Sequence, residues 1–105
     1  MRVRKAPLES NVQKQILDYL ESVGAFCYKT ISSNKRGIPD ITAVYKGVPV
    51  FIEVKRDMTK TASVLQQYQM DKIVKAGGIA KVCFCVDQAK EIVYNIDNEK
   101  GDKKW

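Results

Sequence analysis

Asp40, Glu53 and Lys55 are the residues whose types and spacing could do chemistry together. They belong to the stretch GIPDITAVYKGVPVFIEVK, Gly37 to Lys55, which reads as a β-hairpin turning at Lys46-Gly47. A two-residue loop closed by Tyr45 and Val48 gives strand pairs whose numbers sum to 93, and a four-residue loop closed by Val44 and Pro49 keeps that register. Asp40 then faces Glu53 across the hairpin, with Cβ atoms about 5 Å apart. Lys55 falls on the Glu53 face, about 7 Å along the strand. Facing carboxylates repel, and a bound divalent cation would relieve them. Hard carboxylate oxygens suit Mg²⁺ or Mn²⁺. Such an ion polarises a phosphate oxygen and lowers the pKa of a bound water, while a lysine orients that water or offsets charge on the phosphate. The spacing predicts metal-assisted phosphodiester hydrolysis.

Other elements must hold this hairpin end in place. Pro7 suits a helix start, and Leu8 to Val23 follows helical periodicity, with Val12, Ile16, Tyr19, Leu20 and Val23 as its apolar stripe and Gly24 as its stop. Glu9 extends that stripe at its N-terminal end. On position alone such an acid complements the helix dipole; the functional alternative turns it towards the hairpin. Ala25 to Ser32 is a strand candidate, and Ser33 to Gly37 a polar loop whose Lys35 and Arg36 stand just before Asp40. Within the hairpin, Ile41, Ala43, Val50, Ile52 and Val54 share one face, and Asp40, Thr42, Val44, Phe51, Glu53 and Lys55 share the other. Apolar residues on both faces predict a hairpin covered on both sides. Pro49 falls where the ladder asks for no N–H, whereas Pro39 falls at a bonded position and should end the ladder just beyond Asp40 and Glu53.

A second helix is expected over about Ala62 to Ala76, with Met70, Ile73 and Val74 on its buried face. Gln66 extends that face towards the helix start; Gln67 and Gln69 point elsewhere on the wheel. Ile79 to Val86 reads as a strand, and Asp87 as the N-cap of a short helix through Glu91 to Ile96. The order αβββαβα describes one α/β domain over 1–105, a mixed central sheet flanked by helices, with 1–6 and 98–105 as loose tails.

Composition narrows the chemistry. The chain has no histidine, which excludes serine triads, His-ligated metals and histidine-dependent nuclease mechanisms. RNA cleavage as in splicing nucleases, which usually depends on a histidine, is disfavoured for the same reason. Its three cysteines make an odd number, against a disulfide framework, and Cys83 and Cys85 read as small core residues rather than zinc ligands. A net charge of +6 suits a phosphate backbone, with Lys29, Lys35, Arg36, Arg56 and Lys60 as candidate DNA contacts. No apolar run is long enough for a membrane span and no signal-peptide pattern is visible, so an intracellular, cytoplasmic protein is expected.

Pro39-Asp40 followed by Glu53-Val54-Lys55 resembles the PD-(D/E)xK nuclease signature. More narrowly, LESNVQKQILDYLESVGAF, SNKRGIPDI, FIEVKR and VLQQYQMDKIVKAGG, with the strand that follows, are similar in content and order to the stand-alone VRR-NUC domains of phages and bacteria. The resemblance implies a restriction-endonuclease-like core and a Mg²⁺- or Mn²⁺-dependent DNA endonuclease. It implies Asp40, Glu53 and the Val54 carbonyl as metal ligands, Lys55 as the catalytic lysine, Glu9 as a metal-site acid acting directly or through water, and Gln66 as the glutamine of the site. No further carboxylate stands beside Asp40, which puts a second metal in doubt. The resemblance also implies a homodimer acting on branched or four-way-junction DNA. The competing class is a nucleic-acid-binding module with a nuclease fold and no cleavage; acids kept close to the phosphates argue against it.

Overall fold

The computed structural model describes residues 8–102, with side chains described through Glu99. The expected loose segment 1–6 and the last three residues lie outside the described residues. The elements are α1 (Glu9–Ser22), β1 (Phe26–Lys29), β2 (Ile41–Tyr45), β3 (Val48–Val54), α2 (Val64–Lys75), β4 (Ile79–Cys83) and α3 (Val86–Asp102), the expected αβββαβα order. One four-stranded sheet runs β1-β2-β3-β4, antiparallel through β3 and parallel between β3 and β4, with α2 as the crossover.

Lys46 and Gly47 both have positive φ, 49° and 80°, which is the requirement of a two-residue type I′ turn. Tyr45 pairs with Val48 and Ile41 with Ile52, so the hairpin has the register read from its turn. Asp97 of α3 pins this end: its Oδ1 accepts from the Tyr45 hydroxyl and the Lys46 ammonium, both at 2.7 Å. Pro49 precedes Val50, where the β4 ladder begins, so neither neighbouring strand asks for its missing N–H.

The core lies on one side of the sheet. Ile41, Ala43, Tyr45, Val50, Ile52 and Val54 pack there against Val12, Ile16 and Leu20 of α1 and Ala89, Ile92, Val93 and Ile96 of α3. The other face is only partly covered, contrary to the expectation of two-sided burial. α2 packs against β4, leaving Phe26, Tyr28 and Val44 exposed above β1 and β2. Met70 alone among the described α2 residues is buried, and Val74, expected inside, is exposed. Several bounds shift as well. β1 and β4 are shorter than expected, and Asp87 lies inside the first turn of α3 rather than capping it. α3 continues past the expected end at Ile96 to Asp102, into the segment expected to be loose, because Ala89, Ile92, Val93 and Ile96 form a stripe that anchors it. Cys83 is buried in the core and burial pushes its thiol up to about 12; Cys27 and Cys85 are free as well. No helix among the described residues is long and apolar enough to cross a membrane.

Gly37 fixes where α2 begins. Its φ is +81°, and a Cβ there would stand 2.8 Å from Leu65 Cγ and 3.0 Å from the Leu65 backbone. Gly37→Ala is therefore expected to push the first turn of α2 outward and destabilise the fold by about 1–3 kcal/mol. Chemical denaturation measures this; an unchanged midpoint would mean that the contact is not tight.

Candidate active site

The charged residues gather where the β2–β3 ladder stops. Hydrogen-bonded pairs alternate along an antiparallel hairpin, so the position after Ile41–Ile52 would pair Pro39 with Val54. Pro39 is fully buried and has no N–H to give. The Val54 N–H donates instead to Asp40 Oδ2 at 2.8 Å. The ladder therefore ends at Ile41–Ile52, one step before the expected Asp40–Glu53 pair, and the Asp40 carboxylate takes the place of the missing acceptor. Because a strand residue's N–H and C=O point the same way, the Val54 carbonyl faces this side too, and Pro39 has no N–H to answer it. Replacing Asp40 by alanine should orphan the Val54 N–H and cost about 1–3 kcal/mol, whereas Asp40→Asn keeps an acceptor and should stay close to wild-type stability. Thermal melts of the two variants check the contrast.

Glu53 is 3% exposed. Burial above all, then the Asp40 charge, holds its carboxyl above the ordinary carboxylate range; Lys55 pulls the other way, and Glu9 adds a weaker upward push. Its two oxygens differ. Oε2 accepts from Gln66 Nε2 at 2.7 Å and lies 3.2 Å from the Lys55 ammonium, while Oε1 is buried with no hydrogen-bond partner. Lys55 also donates to Gln66 Oε1 at 3.2 Å and is itself mostly buried.

Gln66 is held by the start of α2. Ser63 Oγ accepts from the Gln66 N–H at 3.1 Å, and Gln66 Oε1 accepts from the Ser63 N–H at 2.8 Å, a reciprocal capping box. The helix start therefore fixes the amide that bridges Glu53 and Lys55. The other two glutamines go elsewhere: Gln67 donates to Asp71 and Gln69 to the Arg36 carbonyl. The Gln69 bond also ties the Lys35–Arg36 loop down beside α2.

Glu9 opens α1 and borders a cleft of about 510 Å³ with Leu8, Arg56 and Lys60. Lys29, Lys35, Arg36, Arg56 and Lys60 are all exposed. Arg56 and Lys60 stand beside Glu9 at the cleft; Lys35 and Arg36 precede Gly37; Lys29 ends β1. Among the described residues, no group of three or more His, Cys, Asp or Glu side chains is close enough to hold a metal ion. The donors at the strand end are two carboxylates and a backbone carbonyl. That set fits Mg²⁺ or Mn²⁺, which keep several waters and take one or two protein carboxylates, and the orphaned Glu53 Oε1 is an anionic oxygen lacking a partner. Gln13 was not singled out by the sequence reading; its buried Oε1 also lacks a partner, and the signal for it is a polar residue on the α1 stripe, four after Glu9.

No protein-family model matches the sequence, and no curated protein matches it. Solved structures do. One described as "VRR_NUC domain" superposes with a TM-score of 0.73 at 25% identity, covering 82% of this chain and 94% of that one. This is a VRR-NUC fold. A second structure, described as "VRR_NUC domain protein", has a TM-score of 0.70 at 19% identity, covering 86% and 88%. Likeness over most of both chains supports assignment to the VRR-NUC family. The VRR-NUC sheet thus carries the acids and lysine at its strand ends, reached by α1 from the core side and by α2 from the open side.

Proposed function

We propose that this nuclease-fold chain is a metal-dependent DNA endonuclease whose site comprises Asp40, Glu53, the Val54 carbonyl, Lys55 and Gln66, with Glu9 at its edge. The observation that carries the reading is Glu53 Oε1. A buried carboxylate oxygen without a partner, beside a second carboxylate, costs stability that a bound cation would recover. Bound at these oxygens, Mg²⁺ or Mn²⁺ would supply Lewis acidity towards a phosphate and a water of lowered pKa. The residues supply the rest. Asp40 and Glu53 present the anionic oxygens, and Gln66 keeps Glu53 Oε2 turned towards Lys55, leaving Oε1 for the ion. Lys55, held by Gln66 and Glu53, places its ammonium where it can orient a water or meet charge growing on the phosphate. Arg56 and Lys60 flank Glu9 and suit the phosphates on either side of the scissile one.

The test is incubation of labelled duplex and four-way-junction DNA with Mg²⁺, Mn²⁺ or EDTA. Cutting that needs the ion is expected; no cutting of any substrate would overturn the proposal. The second reading, a nucleic-acid-binding module without cleavage, is favoured by the absence of a three-acid cluster among the described residues, and would show binding without cutting. The finer reading is a homodimer on branched DNA, one site per protomer for paired nicks. The open apolar strip of Phe26, Tyr28 and Val44 supports it as a place for a second copy. Light scattering and a comparison of junction with duplex cleavage test it.

Arg56→Ala should weaken binding to all DNA sequences alike and lower the slope of log K against log salt by about 1, because one released counterion is lost. An unchanged slope, measured by fluorescence anisotropy across a salt series, would place Arg56 off the DNA.

A further inference from the structure

We infer that Gln13 is a positioning residue of this site, holding with its amide oxygen a water that belongs to the hydration of the bound divalent cation. The inference rests on the metal-dependent reading above. Gln13 lies in α1 among Val12, Ile16 and Leu20, residues that form the core, and is only 9% exposed. Its Oε1 is buried with no hydrogen-bond partner. A carbonyl oxygen left in that state costs about 1–3 kcal/mol, so an apolar side chain would serve the helix better unless something donates to it. Among described buried side chains, the one other such atom is Glu53 Oε1.

Position relates the two. Residues four apart lie above one another on a helix, so Gln13 stands one turn below Glu9, whose charge is felt by Glu53. Helix side chains lean towards the N-terminus, which for Gln13 is the Glu9 end. α1 packs on β2 and β3, the strands that carry Asp40 and Glu53 at their ends. Two buried acceptors that lack donors ask for one with two hydrogens. Water is that donor, and Mg²⁺ or Mn²⁺ retains several. Outer partners of this kind typically change metal affinity by about 10–100-fold.

The experiment is calorimetric titration of Mn²⁺ into the full chain, with melts of the metal-free protein alongside. Gln13→Leu should weaken Mn²⁺ binding by about 10-fold or more, yet leave the metal-free melting temperature unchanged or higher, since the orphaned oxygen is gone. Gln13→Glu keeps an oxygen acceptor and should retain wild-type Mn²⁺ affinity within a few-fold. Gln13→Met, unbranched like glutamine, replaces the leucine variant should branching prevent folding. Unchanged affinity in a folded apolar variant overturns this inference and leaves the nuclease reading intact. A wild-type chain that binds no Mn²⁺ at all overturns both.

Discussion

Lys55→Ala should abolish most DNA cleavage, by on the order of 10²–10⁴-fold, while Mn²⁺ binding and DNA binding stay near wild type. The size follows from what the ammonium does. It is mostly buried, fixed by Gln66 Oε1 and Glu53 Oε2, and has no charge partner other than Glu53 among the described ion pairs. In that setting a positive charge acts on a phosphate with little screening by water. Removing it takes away an interaction that strengthens as charge develops, so the loss should appear in kcat more than in KM. A Lys55→Arg variant should recover little, because the planar guanidinium cannot occupy the same point between the amide and the carboxylate. Single-turnover cleavage measures the chemical step; an equal fall in DNA affinity and rate would make Lys55 a binding residue instead.

Glu53→Gln should abolish Mn²⁺ binding and cleavage, yet raise the stability of the metal-free protein at neutral pH. The two effects have one origin. Burial and the Asp40 charge raise the Glu53 pKa in the folded state above its ordinary 4.5. The folded chain therefore binds the proton more tightly than the unfolded chain. Stability is largest below the unfolded pKa and falls as pH rises from there through the folded value. A neutral glutamine removes that decline, so the variant's melting temperature should vary less with pH over the window above 4.5. Added Mn²⁺ should restore stability to the wild type and do nothing for the variant. A variant that melts lower than wild type in EDTA, or still gains from Mn²⁺, would contradict the assignment of Glu53 to the ion.

How much of this was legible in the residues depends on whether local chemistry decided it. Gly47 required a positive-φ turn, the turn required the register, and the register brought Asp40 and Glu53 to one end; each step is local, and each appears in the structure. Pro39 was legible as a ladder stop, but not that the Asp40 carboxylate would take over the Val54 N–H, because that depends on a side chain swinging back across the gap. Helical periodicity set Gln66 apart from Gln67 and Gln69 by its face, but not what would hold it there. Ser63 does, through a capping box with Gln66, and capping depends on where the helix begins. Val74 read as buried because it shares a helix face with Met70 and Ile73, and Val44 because the hairpin is apolar on both faces; both are exposed because α2 sits over β4 and leaves the β1–β2 side open. Gln13 was passed over for a simpler reason: a polar residue on an apolar stripe, four after Glu9, is a faint signal until its burial and its unpaired oxygen are known.

The most direct measurement is Mn²⁺-dependent cleavage of labelled DNA by the wild-type chain and by Asp40→Asn, side by side. That variant keeps an acceptor for the Val54 N–H, so it removes a carboxylate charge while preserving the fold. Cutting by the wild type in Mn²⁺, none in EDTA, and a rate at least about 100-fold lower for Asp40→Asn are the predicted results. Equal rates for the two proteins, or cutting that persists in EDTA, would contradict a metal site built on Asp40 and Glu53.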